Sequence, residues 1–190
     1  MDIVDRAIEV AARAHRHQVR KGSDTPYISH PYSVGMMLAR AGFDPEVIAA
    51  GILHDTVEDT DMTLGEVREE FGDRVAWIVE GCSEPDKSAS WEERKEHTIG
   101  YLRTAPYEVR VVACADKLHN LGTVAEGYAR LGDEIWGRFK RGRKEQEWYY
   151  RSLASSLCEY TPPGQAAVPF CVAFEELVEQ VFGETAHNAI

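Results

Sequence analysis

The sequence predicts an all-α fold, a single helical bundle over residues 1–190, on three observations. Apolar residues recur at three- and four-residue spacing through most of the chain. Capping signals precede these stretches, and glycine or proline follows them. No segment alternates apolar and polar residues for long enough to make a strand.

Each element has its own signature. Residues 3–19 place Ile3, Ala7, Val10, Ala11 and Ala14 on one helical stripe. The segment RKGSDTPYISHP (20–31) then reads as a loop. A short helix covers 32–40, Gly42 ends it, and Pro45 opens the next over about 45–59. Thr63 with Glu66, and Ser90 with Glu93, have the spacing of a capping box ahead of helical patterns. Pro106 starts the long stretch PYEVRVVACADKLHNLGTVAEGYARL. A further helix, in KEQEWYYRSLASSLCEY, is stopped by Pro162, Pro163 and Gly164. The last helix covers about 170–182, within a C-terminal extension (161–190) expected to pack on the bundle.

Composition bounds the function. A chain of 190 residues is long enough to bury a core without staples. Its net charge of −11 weighs against nucleic acid or an anionic membrane as partner. No apolar run approaches the roughly 18 residues of a membrane span, so a cytoplasmic protein is expected. Cys82, Cys114, Cys158 and Cys171 sit among apolar neighbours at no paired spacing, which predicts buried free thiols and a reducing compartment. Oligomeric state has no signature in the sequence.

The chemistry concentrates in GILHDTVEDT (51–60). On a continuous helix His54 sits over Glu58, and Asp55 over Asp59. The first layer offers one nitrogen and one oxygen ligand to a divalent cation, and the second reaches a substrate or water. The bland alternative is a solvated acidic helix end, but carboxylates there oppose the helix dipole and call for a cation. A second signal is VVACADKLHN (111–120), which sets Asp116 in mid-helix after an apolar run. A buried aspartate needs a partner or a metal, and Asn120 follows one turn on. His30, just before Pro31, is either a structural hydrogen-bonder or a further ligand. A mixed nitrogen and oxygen set without thiolate suits Mn²⁺ or Fe²⁺ and does not exclude Zn²⁺.

The order His30, His54-Asp55, Asp116 resembles the metal-binding pattern of HD-domain phosphohydrolases. The blocks RKG…PYISHP, GILHDTVEDT, FGDRVAWIVEG, WEERKEHTI, ADKLHNL and GRKEQEWYY resemble, in order and over residues 1–160, the hydrolase domain of the RelA/SpoT homologues. The chain is therefore similar to a stand-alone small alarmone hydrolase. The resemblance implies one Mn²⁺ and removal of the 3′-pyrophosphate from a nucleotide substrate, (p)ppGpp. It also implies His30, His54, Asp55 and Asp116 as metal ligands and Glu58 and Asp59 as the catalytic acids. Arg20, Lys21, Asn120 and Thr123 correspond to its substrate contacts. Where the family often carries an arginine after HNL, this sequence has Gly122, which bears on base preference. Two alternatives remain: the same chemistry on ppApp or NADPH, and a non-catalytic alarmone-binding module. The second expects a lost ligand or acid, and all six positions are intact.

Other residues have two readings. The basic run RFKRGRK (138–144) is either a solvated connection or a phosphate-gripping edge of the pocket through Arg138, Lys140, Arg141 or Lys144. Tyr27 either stacks on a base or packs. Trp91 with Arg94 and Lys95 shapes the substrate side or serves helix packing. Trp148, Tyr149 and Tyr150 are expected as core anchors, and His119 as a packing or capping residue. His15, His17, His97 and His187 read as surface or helix-face residues with no site partner in sequence.

Overall fold

A computed structural model describes residues 2–84 and 88–183. Asp2 caps α1 (Ile3–Ala14) by accepting from the N–H groups of Val4 and Asp5, and Ala7, Val10 and Ala11 are buried beneath it. The helix ends five residues short of the expected limit. Beyond it Val19 forms an isolated bridge with Pro26 that pinches the loop before the next helix. His15, read as a surface or helix-face residue without a site partner, is buried at 2% exposure, with Nδ1 2.7 Å from Gln18 Oε1 and its ring against Tyr27.

Helices α2 (Ser29–Arg40) and α3 (Pro45–Leu53) approach closely. A Cβ at Gly35 would lie 2.4 Å from Ile52 Cγ1, and one at Gly51 2.3 Å from Leu38 Cδ1. Glycine at both positions is what admits this approach, and it carries His30 on α2 to the end of α3. The helix expected over 45–59 breaks at His54–Asp55 and resumes as α4 (Thr56–Asp59). At the break, His54 Nδ1 donates to the Gly51 carbonyl at 2.8 Å and the Thr56 hydroxyl to that of Leu53 at 2.7 Å. These side chains compete for carbonyls that a continuous ladder would use.

Both capping boxes form, Thr63 with Glu66 at α5 (Leu64–Phe71) and Ser90 with Glu93 at α7 (Trp91–Thr104). Gly72, at φ +90°, turns the chain from α5 into α6 (Asp73–Cys82). The central element is α8 (Tyr107–Leu131), against which α2, α3, α6 and α7 pack. Its residues 109–116 are all buried, charged ones included. A 3₁₀ segment (Gly132–Arg138) leads to α9 (Arg143–Ala154), which continues as a π turn over Ser155–Glu159. Finally α10 (Cys171–Phe182) lays Phe174, Val178, Val181 and Phe182 into the core beside α8 and α9. Among the described residues there is no strand, and no helix is long and apolar enough to cross a membrane.

Two further expectations need correction. Cys158 and Cys171 form a disulfide, with Cα atoms 5.2 Å apart, so only Cys82 and Cys114 are free. The π turn and the start of α10 meet in space, which a separation of 13 residues does not announce. The reducing compartment inferred from four free thiols loses its basis. Trp148 is 39% exposed, while Tyr149 and Tyr150 are buried as expected. His187 lies outside the described residues.

Candidate metal and phosphate site

The three helices α2, α3 and α8 bring His30, His54, Asp55 and Asp116 to one point. His30 Nε2 lies 3.0 Å from Asp116 Oδ1 and 3.5 Å from Asp55 Oδ2. His54 Nε2 lies 3.1 Å from Asp55 Oδ2 and 3.6 Å from Asp116 Oδ1. Both imidazoles are buried, and neither Nε2 has a hydrogen-bond partner.

Their other nitrogens explain why. His54 Nδ1 faces a carbonyl and carries a proton, so in the neutral ring the lone pair is on Nε2. His30 Nδ1 lies 2.8 Å from Nδ1 of His119. Burial and the neighbouring His30 and Arg20 push the His119 pKa down to about 4, so that ring is neutral near pH 7. In the tautomer where His30 Nδ1 donates to His119, the His30 Nε2 lone pair faces the carboxylates as well. When both rings are neutral, two nitrogen lone pairs aimed at two carboxylates repel unless a cation, whether proton or metal ion, lies between them. The donor set fits a divalent ion, and His30, His54 and Asp116 offer ligand atoms within 4.8 Å of one another.

The carboxylates are oriented by neighbours. Tyr27 donates its hydroxyl to Asp55 Oδ2 at 2.7 Å. Burial and the nearby Asp55 and Asp59 raise its pKa, so the phenol stays protonated. Lys117 Nζ lies 2.6 Å from Asp116 Oδ2, and Asn120 Nδ2 lies 2.6 Å from Oδ1. Burial opposes ionisation of Asp116, and Lys117 with the two histidines outweighs it, holding the carboxyl well below the usual range. Burial likewise works against the His54 imidazolium, and Asp55 and Asp116 outweigh it, so the pKa lies well above 6.5. A proton and a metal ion thus compete for that nitrogen.

Beside this centre opens a cleft of about 510 Å³, lined among others by His54, Asp55, Glu58, Lys95, Asp116 and Lys117. Burial raises the Glu58 pKa, even though Glu58 Oε2 accepts from the backbone N–H of Glu84 at 3.2 Å. Asp59 is not among the residues lining that cleft. Its Oδ2 lies 3.4 Å from the Tyr27 hydroxyl, and its side chain faces a neighbouring groove. Arg20 Nη2 donates to Asn120 Oδ1 at 2.9 Å and lies 3.4 Å from Thr123 Oγ1, which brings three expected substrate contacts together. Lys21 is separate, with its ammonium 5.1 Å from the centre of the Phe139 ring.

Several residues near the site had a weak signal in sequence or none. His119 and Tyr27 reach His30 and Asp55 across 89 and 28 positions, respectively. Glu84, clamped by Arg94 and by Lys95 Nζ at 2.6 Å, also lines the cleft. Arg141 of the basic run pairs with Glu92 at 2.6 Å and has no contact in the cleft. Arg138 packs against Gly22.

Comparison with known proteins places this geometry. Residues 7–146 match the model of an HD-domain family. A Streptomyces coelicolor protein named GTP pyrophosphokinase is 43% identical over 166 residues, which are 81% of this chain but 20% of that one. The chain thus spans about a fifth of that relative's length. A Danio rerio guanosine-3′,5′-bis(diphosphate) 3′-pyrophosphohydrolase is 43% identical over 93% of this chain and 91% of its own. A solved structure, described as a metazoan orthologue of SpoT that hydrolyses ppGpp, superposes with a TM-score of 0.78 at 25% identity, covering 96% of this chain and 97% of that one. With the family model matched over most of its length and the paired histidines and aspartates meeting at one point, the chain belongs to the HD-domain family.

Proposed function

We propose that this chain is a divalent-metal-dependent hydrolase that removes the 3′-pyrophosphate of (p)ppGpp, giving GDP or GTP and pyrophosphate. The observation that carries the reading is the pair of buried, unpartnered Nε2 atoms facing two carboxylates at the edge of the cleft. The substrate follows from the relatives: the zebrafish protein is named for this reaction, and the metazoan orthologue of SpoT is described as hydrolysing ppGpp.

His30, His54, Asp55 and Asp116 would hold the ion, with Mn²⁺ the metal we favour. A bound divalent ion makes a water nucleophile available near neutral pH and neutralises phosphoryl charge. The protein's own groups do the rest. Tyr27 fixes Asp55, while Lys117 and Asn120 fix Asp116, so the ligand set is ordered before any ion arrives. Glu58, with its pKa raised by burial, takes the proton from the attacking water, and Asp59 orders that water from the side of Tyr27. Arg20, steadied by Asn120 and Thr123, meets the substrate's phosphate or ribose. Residues 1–190 act as one domain in this reading, with α10 part of the same core.

Gly122 supports a second reading, the same chemistry on ppApp or NADPH. A Cβ there would meet nothing within 4 Å, so the space beside Asn120 and Thr123 is open. One experiment separates the two. Metal-free protein is incubated with ppGpp, ppApp and NADPH, with and without Mn²⁺, and the products are resolved by anion exchange. Mn²⁺-dependent pyrophosphate from ppGpp is the expected result. Turnover confined to NADPH, or no turnover at all, would reject the alarmone assignment.

A further inference from the structure

The buried part of α8 also holds, at Arg110 and Cys114, a second cluster that the reaction does not use. Cys114 lies in the middle of α8 and is fully buried. Its sulfur is within 4.8 Å of those of Cys158, on the π turn, and Cys171, the first residue of α10. One helical turn before Cys114 stands Arg110, at 0% exposure. Its Nη2 donates to the carbonyls of Leu157 (2.8 Å) and Tyr160 (2.5 Å), which flank Cys158, and Nη1 lies 3.4 Å from Gln165 Oε1. Its Nε has no partner. Among the described residues no carboxylate pairs with it, although a guanidinium cannot shed its charge.

We propose that, once the Cys158–Cys171 bond is reduced, Cys114, Cys158 and Cys171 form a three-thiolate site for a soft divalent cation such as Zn²⁺ or Cd²⁺, with Arg110 as its buried counter-charge. Sulfurs bound at about 2.3 Å around a trigonal ion stand about 4 Å apart; the Cys114 sulfur lies within 4.8 Å of both others, and those of Cys158 and Cys171, bonded here, would separate once reduced. Soft thiolate sets select such ions over the hard ions suited to the imidazole and carboxylate centre. Charge supports the assignment. A divalent ion with three thiolates carries a net charge of −1, which the lone cation of Arg110 neutralises. With the disulfide formed and Cys114 neutral, Arg110 has only neutral partners.

The chemistry balances. A dithiol reductant supplies two electrons and two protons, the S–S bond breaks into two thiols, and the reductant leaves as a disulfide. The cation then displaces three thiol protons as three metal–sulfur bonds form. Redox state would therefore decide whether the C-terminal helix is tied to the π turn by a covalent bond or through a metal ion also bound by α8.

The test uses the full chain with His30→Ala and His54→Ala, which removes both imidazoles from the histidine and aspartate centre. Cd²⁺ is titrated into reduced and oxidised protein, with binding read from heat and from the thiolate-to-cadmium absorbance. One equivalent is expected for the reduced protein and none for the oxidised one. Cys82→Ser should leave this unchanged. Cys114→Ser should weaken binding by at least an order of magnitude, with circular dichroism verifying the fold and Cys114→Ala standing in if serine unfolds it. No Cd²⁺ bound by reduced protein, or equal affinity in both Cys114 variants and the parent, would overturn the proposal.

Discussion

Asp116 and Arg110 lie six positions apart on one helix, both buried and both charged, yet the protein treats them oppositely. Asp116 is met by titratable or amide side chains from three parts of the chain: His30, His54, Lys117 and Asn120. Arg110 is met by two backbone carbonyls and, at 3.4 Å, a glutamine amide. Side-chain partners can exchange for a metal or a substrate, whereas backbone carbonyls hold a segment in place. Burial alone does not mark a reaction centre, but the chemical type of the partners does.

That contrast can be broken at its strongest point first. Asp116→Ala and Asp55→Ala should each lose the divalent ion and reduce activity to background, as read by metal analysis beside pyrophosphate release. Full activity in either would remove the distinction. Glu58→Gln should keep the ion and lower kcat by about 10²–10⁴-fold with KM changed little, because it removes proton transfer and leaves ligation intact. Arg110→Met should do the reverse. It leaves the Leu157 and Tyr160 carbonyls without a donor and should cost about 2–4 kcal/mol in urea unfolding, with kcat per folded molecule unchanged. A kcat loss there would make Arg110 part of the reaction machinery. Ser90→Ala, which removes a capping box that includes neither group, should cost about 1 kcal/mol and sets the scale for an ordinary local contact.

The parts of the fold visible in sequence were those decided by neighbours in the chain. The Thr63–Glu66 and Ser90–Glu93 boxes, Pro45 at a helix start and the 25-residue α8 depend on spacings of a few residues. The break at His54–Asp55 was hidden because Thr56 and His54 also satisfy a helical pattern, and only their hydrogen bonds to Leu53 and Gly51 show otherwise. At the candidate site, the ligand-type residues could be named from burial logic and resemblance. Their supports could not, because His119 behind His30 and Tyr27 on Asp55 are pairings made by helix packing. The Cys158–Cys171 bond and the burial of His15 were missed for the same reason. Arg110 offered no periodic signal, since an arginine in a long helix is ordinarily solvated.

The distribution of His30, His54, Asp55 and Asp116 along the chain also has a consequence in time. A ribosome adding about 5–20 residues per second takes several seconds to travel the roughly sixty positions from Asp55 to Asp116. Through that interval the nascent chain carries two imidazoles and one carboxylate without the helix that closes the set. On the proposed ligand set, the order in which its segments appear makes metal capture a late event in its biosynthesis.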